Sequence, residues 1–266
     1  MLSYREVVTA LIDLQIPADS PVLVHSDQEQ FGEIRGGSET MVSALYTMAK
    51  RLMFPAFTTS TMVTPLVGPA ENGMVYGIKV EGNLSAQKFH PNLKVDDSLG
   101  SLAEKFRLLP QVSRSSHPIL SFSAINLEPA LQSQTLGDPL APLAYLSQAK
   151  GWVLLIGVDQ TANTTLHYVE KLAGRKQFLR WARIEDTIVE CANMPGCPDG
   201  FNETTPVLQP ISRTVSLNGC QIMALPMNLM IHRIKSMLGD DPMALLCNRP
   251  DCESCTEIRA AYLNDN

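Results

Sequence analysis

The stretch Trp152-Val153-Leu154-Leu155-Ile156-Gly157-Val158-Asp159-Gln160-Thr161-Ala162-Asn163-Thr164-Thr165-Leu166-His167-Tyr168-Val169-Glu170-Lys171-Leu172-Ala173-Gly174 decides the fold. It opens on the longest apolar run of the chain, residues 152–158. That run is far short of the roughly 20 residues a bilayer span takes, and its length suits a buried strand. The period then changes. Leu166, Val169 and Ala173 recur at helical spacing, and Gly174 stands where a helix C′ residue is expected, so the spacing predicts a helix over 163–173. A buried strand feeding a helix is the repeating unit of an α/β fold.

The same grammar extends outward. Upstream, Val7, Val8, Leu11 and Leu14 predict an opening helix, and residues 22–25 a buried strand whose end delivers His25, Ser26 and Asp27. Gly36-Gly37 precede a helix that Ser38 would N-cap, with Met41, Leu45, Met48 and Leu52 as its apolar stripe. Residues 53–58 predict the next strand. Residues 63–94 and 128–142 have no period, and long irregular segments of this kind are usually functional. Between them, Asp97 or Ser98 would cap a helix through Leu109, and residues 119–125 read as a strand after the loop Arg114-Ser115-Ser116-His117-Pro118. Downstream, strands are expected at 184–190, 214–217 and 221–225, then a helix carrying Met227, Met230, Ile231 and Ile234. The chain reads as a single domain over 1–266, with 240–266 as a cysteine-containing tail.

Composition narrows the function classes. The 266 residues carry 21 Lys+Arg and 27 Asp+Glu, a formal charge of −6, with 45% hydrophobic and 18% charged residues. A disordered chain needs lower hydrophobicity and denser charge. A nucleic-acid binder needs a clustered basic surface, which this sequence lacks. No basic-then-apolar leader opens the chain, and six cysteines are too few for a secreted disulfide scaffold, so the expected location is cytoplasmic. The acidic balance favours a cationic small molecule over nucleic acid or membrane.

His167 and Glu170, three residues apart, share a face near the start of their helix. A carboxylate beside an imidazole fixes its tautomer and suits it to general-base work near neutral pH. The helix begins just past the carboxyl end of a buried strand, where open α/β sheets place ligands. The bland alternative is a surface pair worth little. His25 and His117 carry equally bland alternatives, as a half-buried strand histidine and a loop anchor beside Arg114. Gly36-Gly37 before a helix could admit a phosphate, although most such pairs are ordinary turns. Gly-x-x-x-x-Gly-Lys-Ser/Thr, Gly-x-Gly-x-x-Gly and Gly-x-Ser-x-Gly are all absent.

In order along the chain, Val24-His25-Ser26, Gly36-Gly37, Pro55-Ala56-Phe57-Thr58, Gly100 with Ala103-Glu104-Lys105-Phe106-Arg107, Arg114-Ser115-Ser116-His117-Pro118, Pro139-Leu140-Ala141-Pro142, the 153–157 strand, Asn163-Thr164-Thr165-Leu166-His167 and Gly196-Cys197-Pro198-Asp199-Gly200-Phe201 resemble the aminoglycoside 3-N-acetyltransferase, or antibiotic N-acetyltransferase, family. The resemblance covers most of the chain. It implies a three-layer α/β fold with a mixed central β-sheet flanked by helices, distinct from the better-known acetyltransferase superfamily. It further implies transfer of an acetyl group from acetyl-CoA to the 3-amino group of a 2-deoxystreptamine ring. His167 would be the general base and Glu170 its orienting carboxylate, with direct attack by the amine and no acetyl-enzyme.

The same resemblance assigns His25, Ser26, Gly36 and Gly37 to the coenzyme side, together with Thr58, Ser116, His117 and Thr165. On the acceptor side, the acidic loop residues Asp27 and Glu71 would attract a polycation, with Asn163 as a further candidate. Family members commonly read His-Ser-Ser where this chain has His25-Ser26-Asp27, which removes one serine and brings in a carboxylate. Competing functions are acetylation of another small amine and non-catalytic binding on the same fold. Monomer and homodimer both stay open.

Cys247-x4-Cys252-x2-Cys255 closes the sequence. With Cys191 or Cys197 folded back as a fourth ligand it would make a structural zinc site; otherwise these are free thiols in a packed tail. No metal is expected at the catalytic site.

Overall fold

The computed structural model describes residues 1–77 and 80–265. Among them the strands are β1 (Val22–Ser26), β2 (Leu52–Pro55), β3 (Met62–Val63), β4 (Ser113–Arg114), β5 (Phe122–Ile125), β6 (Trp152–Ile156), β7 (Phe178–Ile184), β8 (Thr187–Met194), β9 (Arg213–Leu217) and β10 (Cys220–Pro226). The helices are α1 (Tyr4–Asp13), α2 (Gly37–Met48), α3 (Val80–Ser85), α4 (Gly100–Arg107), α5 (Glu128–Gln132), α6 (Ala141–Gln148), α7 (Thr164–Leu172), α8 (Thr205–Leu208), α9 (Met227–Asp240) and α10 (Glu253–Asp265). No helix among the described residues is long and apolar enough to cross a membrane.

The main sheet runs β4-β5-β2-β1-β6-β10-β9. Its centre is parallel: β1 pairs with β2 on one side and β6 on the other. Antiparallel strands complete it, with β5 on β2, β4 on β5, β10 on β6 and β9 on β10. The sheet is therefore mixed, as expected.

Side chains of the parallel strands alternate between two cores, as the pleat requires. Val22, Val24, Leu154 and Ile156 pack with Val7 and Leu11 of α1, Leu45 of α2 and Phe106 of α4. Leu23, Val153 and Leu155 face the other way, onto Leu143 of α6, Leu166 and Val169 of α7 and Met230 and Ile234 of α9. Helices thus cover both faces and make three layers. Phe54 of β2 stacks on Phe106 of α4, ring centroids 4.4 Å apart, and ties the first layer to the sheet. A smaller antiparallel sheet, β3-β7-β8, lies outside this stack.

Several local expectations are corrected. The strand expected at 184–190 is the tip of a hairpin, because Glu185 takes φ 51° and a two-residue turn pairs Ile184 with Thr187. The strands expected at 53–58 and 119–125 shorten to β2 and β5. Helix α2 starts at Gly37 behind Gly36 (φ 83°), so Ser38 lies inside the helix and is not its cap. Residues 97–99 form a 3-10 turn ahead of α4. The aperiodic segment 63–94 includes the end of β3 and the short α3; its residues 78 and 79 lie outside the described residues. The tail contains α10, which the sequence reading omitted because its apolar residues carry little helical asymmetry.

Candidate active site

Because β1, β2 and β6 are parallel, their carboxyl ends emerge at one edge of the sheet, the position favoured for ligands in such folds. A cleft of about 480 Å³ opens there. His25 and Ser26 of β1 form part of it, with Phe54, Phe57, Ser98 and Leu99 beside them. Thr161, Ala162, Thr164 and His167 supply the wall between β6 and α7, and Pro195, Gly196, Pro198 and Asp199 close it opposite.

Helix α7 is set at both ends. The Asn163 side chain accepts from the Thr165 N–H at 3.2 Å and caps the start. At the other end Gly174, at φ 81°, lets the chain reverse: its N–H donates to Lys171 O (3.1 Å) and the Arg175 N–H to Glu170 O (3.0 Å). This is the Schellman pattern. It returns Arg175 directly onto the side chain of Glu170. His167 Nδ1–H donates to Glu170 Oε2 at 3.0 Å, and Arg175 Nη1 donates to Glu170 Oε1 at 2.5 Å. Arg175 Nη2 donates to the carbonyls of Pro242 and Ala244, both at 2.7 Å.

The Glu170 and Arg175 side chains are only 4% and 5% exposed, so this is a buried ion pair whose remaining polar capacity is spent on the imidazole and on backbone. With Nδ1 donating, Nε2 is the ring's remaining basic atom, on a residue that lines the cleft. Phe201 packs edge-on against the ring at 4.6 Å and limits its rotation.

The other strand-end histidine differs. His25 is 4% exposed, and burial pushes its imidazole down to about 3, so it is neutral at physiological pH. Its Nε2, the Ser26 hydroxyl and the Thr165 hydroxyl are buried without a protein partner. Gly100, at φ 78°, lets α4 pass this strand end: a Cβ there would meet Ser26 O at 2.7 Å.

The remaining expected residues are placed elsewhere. Thr58 is buried and donates to Pro118 O at 2.7 Å. His117 Nδ1 accepts from the N–H groups of Ile119 and Leu120 and so ties its loop, burial lowers its pKa to about 4, and its Nε2 is buried without a protein partner. Arg114 anchors the same region through the Ala56, Leu93 and Pro91 carbonyls. Ser116 lies on a separate shallow pocket with Ser113 and Glu128. Asp27 caps a short turn through Glu29 N–H and Gln30. Gly36 and Gly37 start α2, and Glu71 lies 3.5 Å from Lys176 on the surface. Asn163 is fully buried, with Gln160 as a further partner. Of the residues expected from sequence, His25, Ser26 and His167 line the cleft, with Glu170 behind His167 and Thr165 next to the lining Thr164.

Arg175 escaped the sequence reading. Its available signal was position, the first residue after the helix-stopping Gly174.

The mixed sheet, the cleft at the parallel strand ends and a His–Glu–Arg chain at α7 define an α/β protein with a hydrogen-bonded histidine lining its cleft. A family model described as aminoglycoside 3-N-acetyltransferase matches residues 23–230, and the chain belongs to that family. It is 29% identical over 177 residues to aminoglycoside N(3)-acetyltransferase IV from Salmonella sp, covering 63% of this chain and 58% of that protein. It is 25% identical over 229 residues to aminoglycoside N(3)-acetyltransferase III from Serratia marcescens, covering 75% and 82%. Under two thirds of the Salmonella protein's length is thus matched. The fold is similar to that of aminoglycoside acetyltransferase AAC(3)-IVa, with a TM-score of 0.78 at 23% identity over 98% of both chains. It is likewise similar to YokD from Bacillus subtilis, with a TM-score of 0.79 at 19% identity over 91% and 94%.

Proposed function

We propose that the protein transfers the acetyl group of acetyl-CoA to an aminoglycoside, at the 3-amino group of the 2-deoxystreptamine ring. The observation that carries this reading is the chain of His167, Glu170 and Arg175 behind a cleft at the parallel strand ends. Family membership supports it, as do similar structures solved with gentamicin, with apramycin and, in AAC-IIIb, with CoASH. The net charge of −6 favours approach of a polycation.

In this mechanism His167 Nε2 accepts a proton from the substrate ammonium, and Glu170 Oε2 holds the Nδ1–H so that the resulting imidazolium stays paired. The freed amine attacks the thioester carbonyl and forms the C–N bond. The C–S bond breaks, and the thiolate leaves to be protonated. The amine is itself the nucleophile, so no acetyl-enzyme is needed. His25 Nε2, Ser26 Oγ and Thr165 Oγ1 are buried polar atoms without a protein partner at this edge, and they are available to the ligands. Neutral His25 can donate or accept a hydrogen bond without repelling a cationic acceptor.

The test is mass spectrometry of an aminoglycoside panel incubated with enzyme and acetyl-CoA. A gain of one acetyl group is expected, with NMR placing it on the 3-amino nitrogen. His167→Ala is expected to lower kcat/KM by about 10²- to 10⁴-fold. A transfer rate unchanged in that variant would overturn the mechanism.

A further inference from the structure

The four sulfurs of Cys197, Cys247, Cys252 and Cys255 all lie within 4.8 Å of one another. None is in a disulfide. Cys191, on β8, belongs to a different cluster with Ile119, Ala182 and Met194, so the fold selects Cys197 as the fourth member. A tetrahedral ion with bonds of about 2.3 Å sets sulfur–sulfur separations near 3.8 Å, well within this spread.

Apolar packing alone does not require such convergence, and polar donors are directed at the cluster. The Asp199 N–H donates to Cys197 Sγ at 3.4 Å, two residues along the chain. The Arg249 guanidinium reaches Cys197 Sγ at 3.9 Å while paired with Asp199 at 2.9 Å. A backbone N–H and a guanidinium directed at a sulfur suit it to carry the negative charge of a metal-bound thiolate. Three of the four residues are at most 6% exposed, and the ligand set is all sulfur, which selects zinc over hard cations.

We infer that these four cysteines form a structural zinc site that fastens the tail to the wall of the cleft. The need for it is visible in the packing. Apart from the cysteines, the small core here is built on Phe178, Leu246 and Ile258, little apolar surface to hold α10 and the loop before it. A metal supplies the missing cohesion, as in other small sulfur-ligated units. Cys197 is flanked by Gly196 and Pro198, both of which line the cleft, so the ion fixes that wall from behind. The position is closed by four protein ligands, so zinc here is structural and offers no open site to substrate.

The experiment reads metal and is independent of acetyl transfer. The full chain, purified without chelator, is expected to carry about one zinc per molecule. Cys252→Ser and Cys255→Ser are expected to lower that at least about tenfold, while Cys191→Ser and Cys220→Ser leave it unchanged. Should the serine variants fail to fold, the wild-type protein stripped of metal and titrated with Co(II) decides: a tetrahedral tetrathiolate gives sulfur-to-cobalt charge-transfer bands. Lack of those bands, lack of zinc retained after incubation with equimolar Zn(II) and desalting, or an intact mass showing disulfides among these four residues would each overturn the site.

Discussion

At the residue scale, Arg175 serves three acceptors at once: the Glu170 carboxylate and the carbonyls of Pro242 and Ala244. A guanidinium can do this because its donors form a fixed planar fork; an ammonium is a point charge. Arg175→Met would leave Glu170 buried without its cation, so a loss of about 3–5 kcal/mol is expected by urea unfolding. Arg175→Lys should keep the fold while loosening Glu170. The expected signature is a lower kcat with little change in the KM for either substrate, because the pair positions His167 and does not touch substrate in this mechanism.

At the element scale, two glycines with nearly the same φ are expected to behave differently. Gly174, at φ 81°, has open space where a Cβ would go. Gly174→Ala therefore carries only the left-handed backbone cost, about 1–2 kcal/mol. Gly100, at φ 78°, adds a clash with Ser26 O at 2.7 Å, a backbone atom that cannot rotate away. Gly100→Ala should be the more destabilising of the two in the same unfolding assay, and it should also impair activity, since Ser26 must shift. Equal costs would show that the strand end yields more easily than this packing implies.

At the scale of the whole molecule, the buried histidines set an acid limit. His25 and His117 are pushed from 6.5 to about 3 and about 4 by burial. The unfolded chain then binds more protons than the folded one between each lowered value and 6.5, so folding stability falls as pH falls through that window. Each histidine contributes up to ~1.4 kcal/mol per pH unit there. Above 6.5 neither has an effect. Urea midpoints measured from about pH 8 down to about pH 4 should be flat and then decline. The decline should be shallower in His117→Gln, whose amide oxygen can still accept from the loop N–H groups.

The apolar run at 152–158 and the helical period after it specify an α/β fold, because a buried strand and an amphipathic helix each write their period into the chain. His167 and Glu170 were legible for the same reason: three-residue spacing on one helix is a local geometric fact. The motif order placed the chain in its family. What the sequence could not decide was which distant groups converge. Arg175 joins Glu170 through a helix-ending turn, and carbonyls near residue 243 complete its coordination. Cys197 meets Cys247, Cys252 and Cys255, whereas Cys191, six residues away in the chain, is buried in another cluster. His117 and Thr58 matched motifs associated with the coenzyme, and only the tertiary structure shows that His117 Nδ1 accepts from its own loop while Thr58 donates to the distant Pro118 carbonyl. Local periodicity is a property of neighbours in the chain, but burial, pairing and metal geometry depend on elements brought together by packing, and only the tertiary structure fixes those.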